Sequence, residues 1–288
     1  GFTEVIISTP GPVGLAALAA AKVLGLPTAG IYHTDFPEYV RILTEDGLME
    51  SLTWNYMHWF YSQLDTIYVN SNHYRQCWID RGIPAEKLKI LPRGLDTGLF
   101  HPQKRSADFW KARGLRDGEV GALYVGRISR EKNLDLFAAA MRRLLAAGVP
   151  VRPLIVGDGP YAGMMKELLP EGIYTGSLHR EELATAFASA DFFVFPSTTD
   201  TFGNVVIEAQ ASGLPVIVSD VGGPKDLVAD GGDGFVTKGL DLDALTVAVK
   251  TLVLDAPLRR SMGEASRARV AGRDWSHAAS LFWEESGE

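Results

Sequence analysis

Asp200, Asn204 and Glu208 recur every fourth residue in the stretch Pro196-Ser197-Thr198-Thr199-Asp200-Thr201-Phe202-Gly203-Asn204-Val205-Val206-Ile207-Glu208-Ala209. Residues so spaced line one side of a helix. Gly203 and Asn204 read as its start, where the first backbone N–H groups lack partners and favour anions. Glu208 is set among Val205, Val206, Ile207, Ala209 and Ala211. A carboxylate in an apolar helix is costly unless a donor meets it. The vicinal hydroxyls of a ribose would be such donors; a salt bridge or a structural cap would serve as well.

Three other places offer chemistry. Gly126-Arg127-Ile128-Ser129-Arg130-Glu131-Lys132-Asn133 follows an apolar run and precedes a helical stretch. Gly126 permits a tight turn, and Arg127 and Lys132 set two cations beside a helix N-terminus, which suits a diphosphate. A solvated basic loop with Arg130 paired to Glu131 is the alternative. Gly157-Asp158-Gly159-Pro160, with Gly163 beyond, is a partial Gly-rich turn. A nicotinamide site would require an acid about twenty residues on, but that region reads Tyr174-Thr175-Gly176-Ser177. A dinucleotide oxidoreductase is therefore disfavoured. His33 closes an apolar run and is either structural or, at a strand's carboxyl end, catalytic. The aromatics Trp54, Tyr56, Trp59, Phe60 and Tyr61 crowd one helical stretch. Core packing, an inter-domain surface or contact with an apolar acceptor would each use them.

The elements that must position these residues alternate in type. Short apolar runs at 5–7, 28–33, 66–69 and 89–91 are separated by helical stretches, among them 14–24 and 48–64. The pattern restarts with runs at 122–125, 153–156, 173–175, 192–195, 216–219 and 234–236. The first helix of this half has Leu134, Phe137, Ala138, Met141, Leu144 and Leu145 in one stripe, stopped by Gly148. Strands alternating with helices imply βαβ units, and strands apolar throughout imply parallel sheets covered on both faces. The expected fold is α/β with two Rossmann-like domains, the first short. Residues 99–106 read as a surface linker. Two last helical stretches, 258–270 and 274–284, follow. The second carries Trp275, Phe282 and Trp283, and its tryptophans are expected to bury against a surface.

Composition supports a folded chain. Of 288 residues, 46% are hydrophobic and 22% charged, outside the range of disordered chains. Cys77 is the single cysteine, so no disulfide framework exists. The net charge of −7 argues against nucleic-acid binding through phosphate neutralisation and against a polybasic membrane anchor. No apolar run reaches the ~18 residues of a membrane span, so membrane association is not indicated, and a cytoplasmic location is expected. The chain opens at Gly1 without Met directly before a strand-like run, so a truncated or processed start is expected.

Taken together these stretches resemble the retaining nucleotide-sugar glycosyltransferases of the group 1 type, which have the GT-B fold. The resemblance rests on Gly126-Arg127-x4-Lys132, Val156-Gly157-Asp158-Gly159-Pro160, the acid-x7-acid segment Asp200 to Glu208 with Phe202-Gly203, and Ala211-Ser212-Gly213-Leu214-Pro215-Val216 with Gly222-Gly223-Pro224. It extends to His33, Ser71, Gly94-Leu95-Asp96, Phe100 and Pro102 in the first half. It implies a partial acceptor-side domain over 1–98, a nucleotide-sugar domain over 99–271 and a helix over 272–288 crossing back to the first domain. Arg127 and Lys132 would hold the diphosphate and Glu208 the ribose. Asp200 and the backbone at Phe202, Gly203 and Asn204 would hold the donor sugar and phosphate, and His33 would lie near the reacting sugar carbon. No metal and no cofactor are implied, and the acceptor could be a glycan, a lipid or a small molecule. Two departures stand out. Asp200 replaces the commoner Glu, one methylene longer, and about three βα units expected before residue 5 are missing. The chain is then expected to bind donor while falling short of transfer alone. A sugar-nucleotide epimerase on the same plan and a non-catalytic sugar-nucleotide-binding fragment are the alternative readings.

Overall fold

The computed structural model describes residues 1–91 and 93–285, without the side chains of Glu284 and Glu285. The chain divides into two compact units. One is Gly1–Pro92 with Thr199–Phe202, the other Arg93–Thr198 with Gly203–Glu288.

The first unit has strands β1 (Val5–Ile7), β2 (Thr28–Tyr32), β3 (Thr66–Val69) and β4 (Leu88–Ile90), paired in parallel in that order. Its helices are α1 (Pro12–Leu24), α2 (Phe36–Thr44), α3 (Gly47–Ser62) and α4 (Asn72–Asp80). Local chemistry sets their ends. Pro12 opens α1, and Gly25 closes it at φ +64°. Asp35 caps α2 by accepting the Glu38 N–H, and Ser71 caps α4 by accepting that of Tyr74. The aromatic stretch on α3 divides by face. Met57, Phe60 and Tyr61 are buried in the core with Tyr32 and Trp78, while Tyr56 and Trp59 are exposed.

The second unit is a six-stranded parallel sheet of β5 (Val120–Val125), β6 (Val151–Val156), β7 (Ile173–Tyr174), β8 (Phe192–Phe195), β9 (Val216–Ser219) and β10 (Gly234–Thr237), ordered β7-β6-β5-β8-β9-β10. Its helices are α5 (Ala107–Lys111), α6 (Leu134–Ala146), α7 (Ala162–Leu168), α8 (Arg180–Ser189), α9 (Asn204–Ala211), α10 (Leu242–Leu254), α11 (Ala256–Val270) and α12 (Trp275–Glu285). The strands are buried almost throughout, as expected for a sheet covered on both faces. Connections leave β5 toward one edge and β8 toward the other, so the gap between these neighbours is the topological switch point.

The structure departs from expectation in three places. β2 ends at Tyr32, so His33 begins the following loop. Residues 99–106 contain a short 3-10 turn, Pro102–Lys104. Trp275 and Trp283 are not buried: they are 60% and 63% exposed, and Ala278 supplies the buried position of α12. Trp275 instead lies over Gly94, where an added Cβ would fall 2.6 Å from its Cα.

A pocket of about 430 Å³ lies at the amino ends of β8 and β9. Three arginines lining it meet helix ends. Arg105 donates to the carbonyls of Ala188 (3.2 Å) and Ala190 (2.9 Å), Arg259 to those of Leu252 and Val253, and Arg267 to that of Ala211. These carbonyls close α8, α10 and α9, the negative ends of the helix dipoles. The cations are therefore spent on capping. No helix among the described residues is long and apolar enough to cross a membrane.

Candidate functional site

In the second unit the predicted residues follow the two strands that flank the switch point. Gly126 follows β5 at φ +154°, and Arg127 comes next, exposed, with its carbonyl accepting the Tyr124 hydroxyl at 2.9 Å. Among the described residues the Arg127 guanidinium has no hydrogen-bond or ion-pair partner. Lys132 ends a 3-10 turn and is 8% exposed. The Glu131 carboxylate accepts the Ser129 hydroxyl at 2.5 Å. Asn133, at φ +54°, starts α6 and donates from Nδ2 to the Pro196 carbonyl and the Thr198 hydroxyl, both at 3.1 Å. This one side chain ties the loop after β5 to the loop after β8.

The Gly157 loop is a brace for that arrangement. Gly126 N–H donates to Val156 O (3.1 Å), Ile128 N–H to Asp158 O (2.9 Å) and Tyr161 N–H to Ile128 O (3.0 Å). A Cβ at Gly157 would sit 1.9 Å from the Gly126 carbonyl, and Gly157 lies at φ +133°. Gly157→Ala is therefore expected to displace the Arg127 loop and destabilise the unit by more than about 2 kcal/mol, through strain and overpacking. Urea unfolding measures it; an unchanged midpoint would contradict the brace.

After β8 the chain reaches Gly203, at φ +90° and packed on Pro224, and α9 begins with no side-chain cap. The Asn204 side is exposed while Val206, Ile207, Ala209 and Gln210 are buried. Glu208 stands partly buried at the seam. Burial pushes its carboxyl up to about 7. Neither a hydrogen bond nor an ion pair holds its side chain among the described residues. The salt bridge or cap considered from sequence is thus absent there, and a desolvated acceptor is left without a protein donor.

His33, Asp200 and Phe202 belong to the first unit. The His33 imidazole Nδ1 lies 2.9 Å from Thr34 Oγ1. Beside it, buried Asp35 accepts the hydroxyls of Tyr32 (3.1 Å) and Tyr74 (2.9 Å). Burial raises the Asp35 carboxyl, against the hydrogen bonds that lower it. Burial, the Asp35 charge and, more weakly, Asp200 push the Tyr74 phenol up. Thr201 Oγ1 donates to the His33 carbonyl at 2.8 Å and accepts from Asn70 Nδ2 at 2.9 Å.

The sequence reading missed Asn133, Thr201, Asn70 and the Asp35 network. Asn133 alone carried a signal, since Asn is the residue best suited to a left-handed turn before a helix. Thr201, Asn70 and the Tyr74 side of the Asp35 network act through contacts far apart in sequence. Among the described residues no three His, Cys, Asp or Glu side chains gather into a group that could hold a metal ion.

Residues 107–269 match the family described as Glycosyl transferases group 1, and residues 2–99 match Glycosyltransferase Family 4. The chain belongs to the group 1 glycosyltransferases. It is 33% identical to the sulfoquinovosyl transferase of Arabidopsis thaliana over 96% of this chain and 55% of that one. It is also 33% identical to a GDP-mannose-dependent alpha-mannosyltransferase of Mycobacterium tuberculosis over 93% of this chain and 68% of the relative. The chain thus spans between about half and two thirds of these relatives. In fold it is similar to the Anabaena protein HepE in complex with UDP and glucose, with a TM-score of 0.77, 20% identity, and coverage of 98% of this chain and 77% of that one. The fold is of the GT-B type.

Proposed function

We propose that the second unit binds a nucleotide-diphosphate sugar and that the protein transfers the sugar to an acceptor with retention of anomeric configuration. The observation that carries this reading is Glu208, desolvated and without a protein donor among the described residues. Two adjacent ribose hydroxyls supply what it lacks, because a buried acceptor left unmatched costs free energy. Arg127 and Lys132 take the diphosphate beside the start of α6, and the backbone at Gly126, Phe202, Gly203 and Asn204 lines the phosphate and sugar side with Asp200. In the transfer, the bond from the sugar carbon to the diphosphate breaks with its electron pair. The electron pair leaves with the diphosphate oxygen, and the acceptor oxygen bonds to that carbon and passes its proton to the released diphosphate. The two cations and the α9 N-terminus stabilise the leaving charge, with no metal required. The acceptor is a glycan, a lipid or a small molecule. An epimerase is not favoured, since the matched families and the relatives above are transferases.

In this reading His33 acts on the sugar side of the reaction. In a form of the protein competent for transfer, His33→Ala is expected to lower turnover at least about tenfold while leaving nucleotide affinity nearly intact, the signature of a group that acts on the transition state. Donor-release assays and calorimetry measure the two quantities. Loss of the native circular dichroism would assign His33 a structural role instead.

A further inference from the structure

The stretch from Pro196 to Gly203 forms neither helix nor strand, yet Thr199–Phe202 is part of the first unit. Thr201, 6% exposed, sits in its middle between Asp200 and Phe202. We propose that Thr201 is a positioning residue for sugar transfer: its hydroxyl fixes the Asp200–Phe202 segment to the His33 backbone and so holds both residues in one arrangement. The proposal rests on the transferase reading of His33 and Asp200.

The geometry uses the hydroxyl fully. A threonine Oγ1 carries one proton and two lone pairs. The proton goes to the His33 carbonyl at 2.8 Å, and a lone pair takes the Asn70 amide at 2.9 Å. His33 follows β2 and Asn70 follows β3, neighbouring parallel strands in which Tyr32 pairs with Val69. One atom therefore spans the carboxyl ends of two strands. The turn bearing His33 is already fixed on both sides, because Tyr32 donates to Asp35 and Asp35 also accepts from Tyr74. The Thr201 bond to the carbonyl is a further point of attachment, and it sets the peptide plane from which the imidazole departs. Asn70 is 2% exposed, so its contact with the hydroxyl is shielded from water.

Thr201→Val keeps the shape and deletes the hydroxyl; Thr201→Ser keeps the hydroxyl. The chain has six histidines, and nuclear magnetic resonance of labelled rings follows each. Thr201→Val is expected to shift or broaden the His33 ring signals and leave the other rings in place, and Thr201→Ser to restore them. With UDP-glucose and GDP-mannose as donors, turnover is expected to fall about 100-fold in Thr201→Val, the effect of a misplacement of about 1 Å. The Kd for UDP or GDP is expected to stay within about twofold, and Thr201→Ser to recover most of the rate. Unmoved His33 signals, undiminished turnover, or equal loss in both variants overturns the proposal. If Thr201→Val does not fold, Thr201→Ala is read by the same criteria. A parent protein that binds neither UDP nor GDP defeats the transferase reading, and the proposal falls with it. A parent that binds and turns over donor while Thr201→Val matches it defeats the proposal alone.

Discussion

Glu208→Gln is expected to make the free protein more stable at pH 8 while weakening nucleotide binding. The carboxyl starts from an ordinary value of 4.5 and is raised by burial to about 7 in the fold. The folded state therefore holds the proton more tightly than the unfolded chain. The stability contributed by that proton is fully present below pH 4.5 and is lost as pH rises through about 7. Above that range the fold carries an ionised, desolvated carboxylate at a cost of about 3 kcal/mol. Glutamine removes the charge, so melting should rise by several degrees at pH 8 and by only about a quarter as much at pH 5. The ribose hydroxyls lose a charged acceptor, which weakens binding by about 1.5–3 kcal/mol. This is the trade between stability and function expected where a site holds a group the fold would rather not bury. Scanning calorimetry at both pH values, with titration of nucleoside, tests it. Equal melting shifts at pH 5 and pH 8, or unchanged nucleoside affinity, would remove Glu208 from the site.

Replacing Arg127 and Lys132 together by alanine is expected to weaken nucleoside diphosphate binding at least about 100-fold, or 2.7 kcal/mol for two charge-assisted contacts. Nucleoside binding should change little, because it has no phosphate to offer. The diphosphate affinity of the parent should fall with added salt, and that of the variant much less. The structure divides the labour. The Arg127 guanidinium is exposed with no partner among the described residues, whereas Lys132 is buried under the turn that leads into α6. Arg127→Ala alone is thus the cleaner variant for binding, and melting of the double variant must be followed alongside. If nucleoside and diphosphate lose affinity equally, the loop is a solvated basic turn and not a phosphate cradle.

Much of this was legible in the sequence because the signals are local. The apolar runs 192–195 and 216–219 coincide with β8 and β9, since a strand covered on both faces has nothing but apolar side chains to show. Glu208 was visible as a carboxylate in an apolar helix, and the structure adds the quantity that matters, its desolvation. What the sequence did not show is how loops are held to one another. Asn133 bridges residues 63 and 65 positions away, and Thr201 reaches His33 across 168. No periodicity encodes such pairs. The burial expected of Trp275 and Trp283 went wrong for a related reason. Two tryptophans on a helix state a preference, but in α12 the small Ala278 takes the covered position.

The central claim is that Glu208 and the Arg127 loop together bind a nucleotide-diphosphate sugar. Calorimetric titration of the protein with UDP-glucose, GDP-mannose, UDP and GDP at pH 6 and pH 8, in two buffers of different ionisation enthalpy, tests it most directly. At least one nucleotide pair is expected to bind. Its affinity should rise between pH 6 and pH 8, because ribose favours the ionised carboxylate and binding releases the proton that burial had retained. Glu208→Gln should bind more weakly and show neither the pH dependence nor the proton release. Binding that is indifferent to pH and unchanged in Glu208→Gln, or no binding of any of the four, would contradict the account.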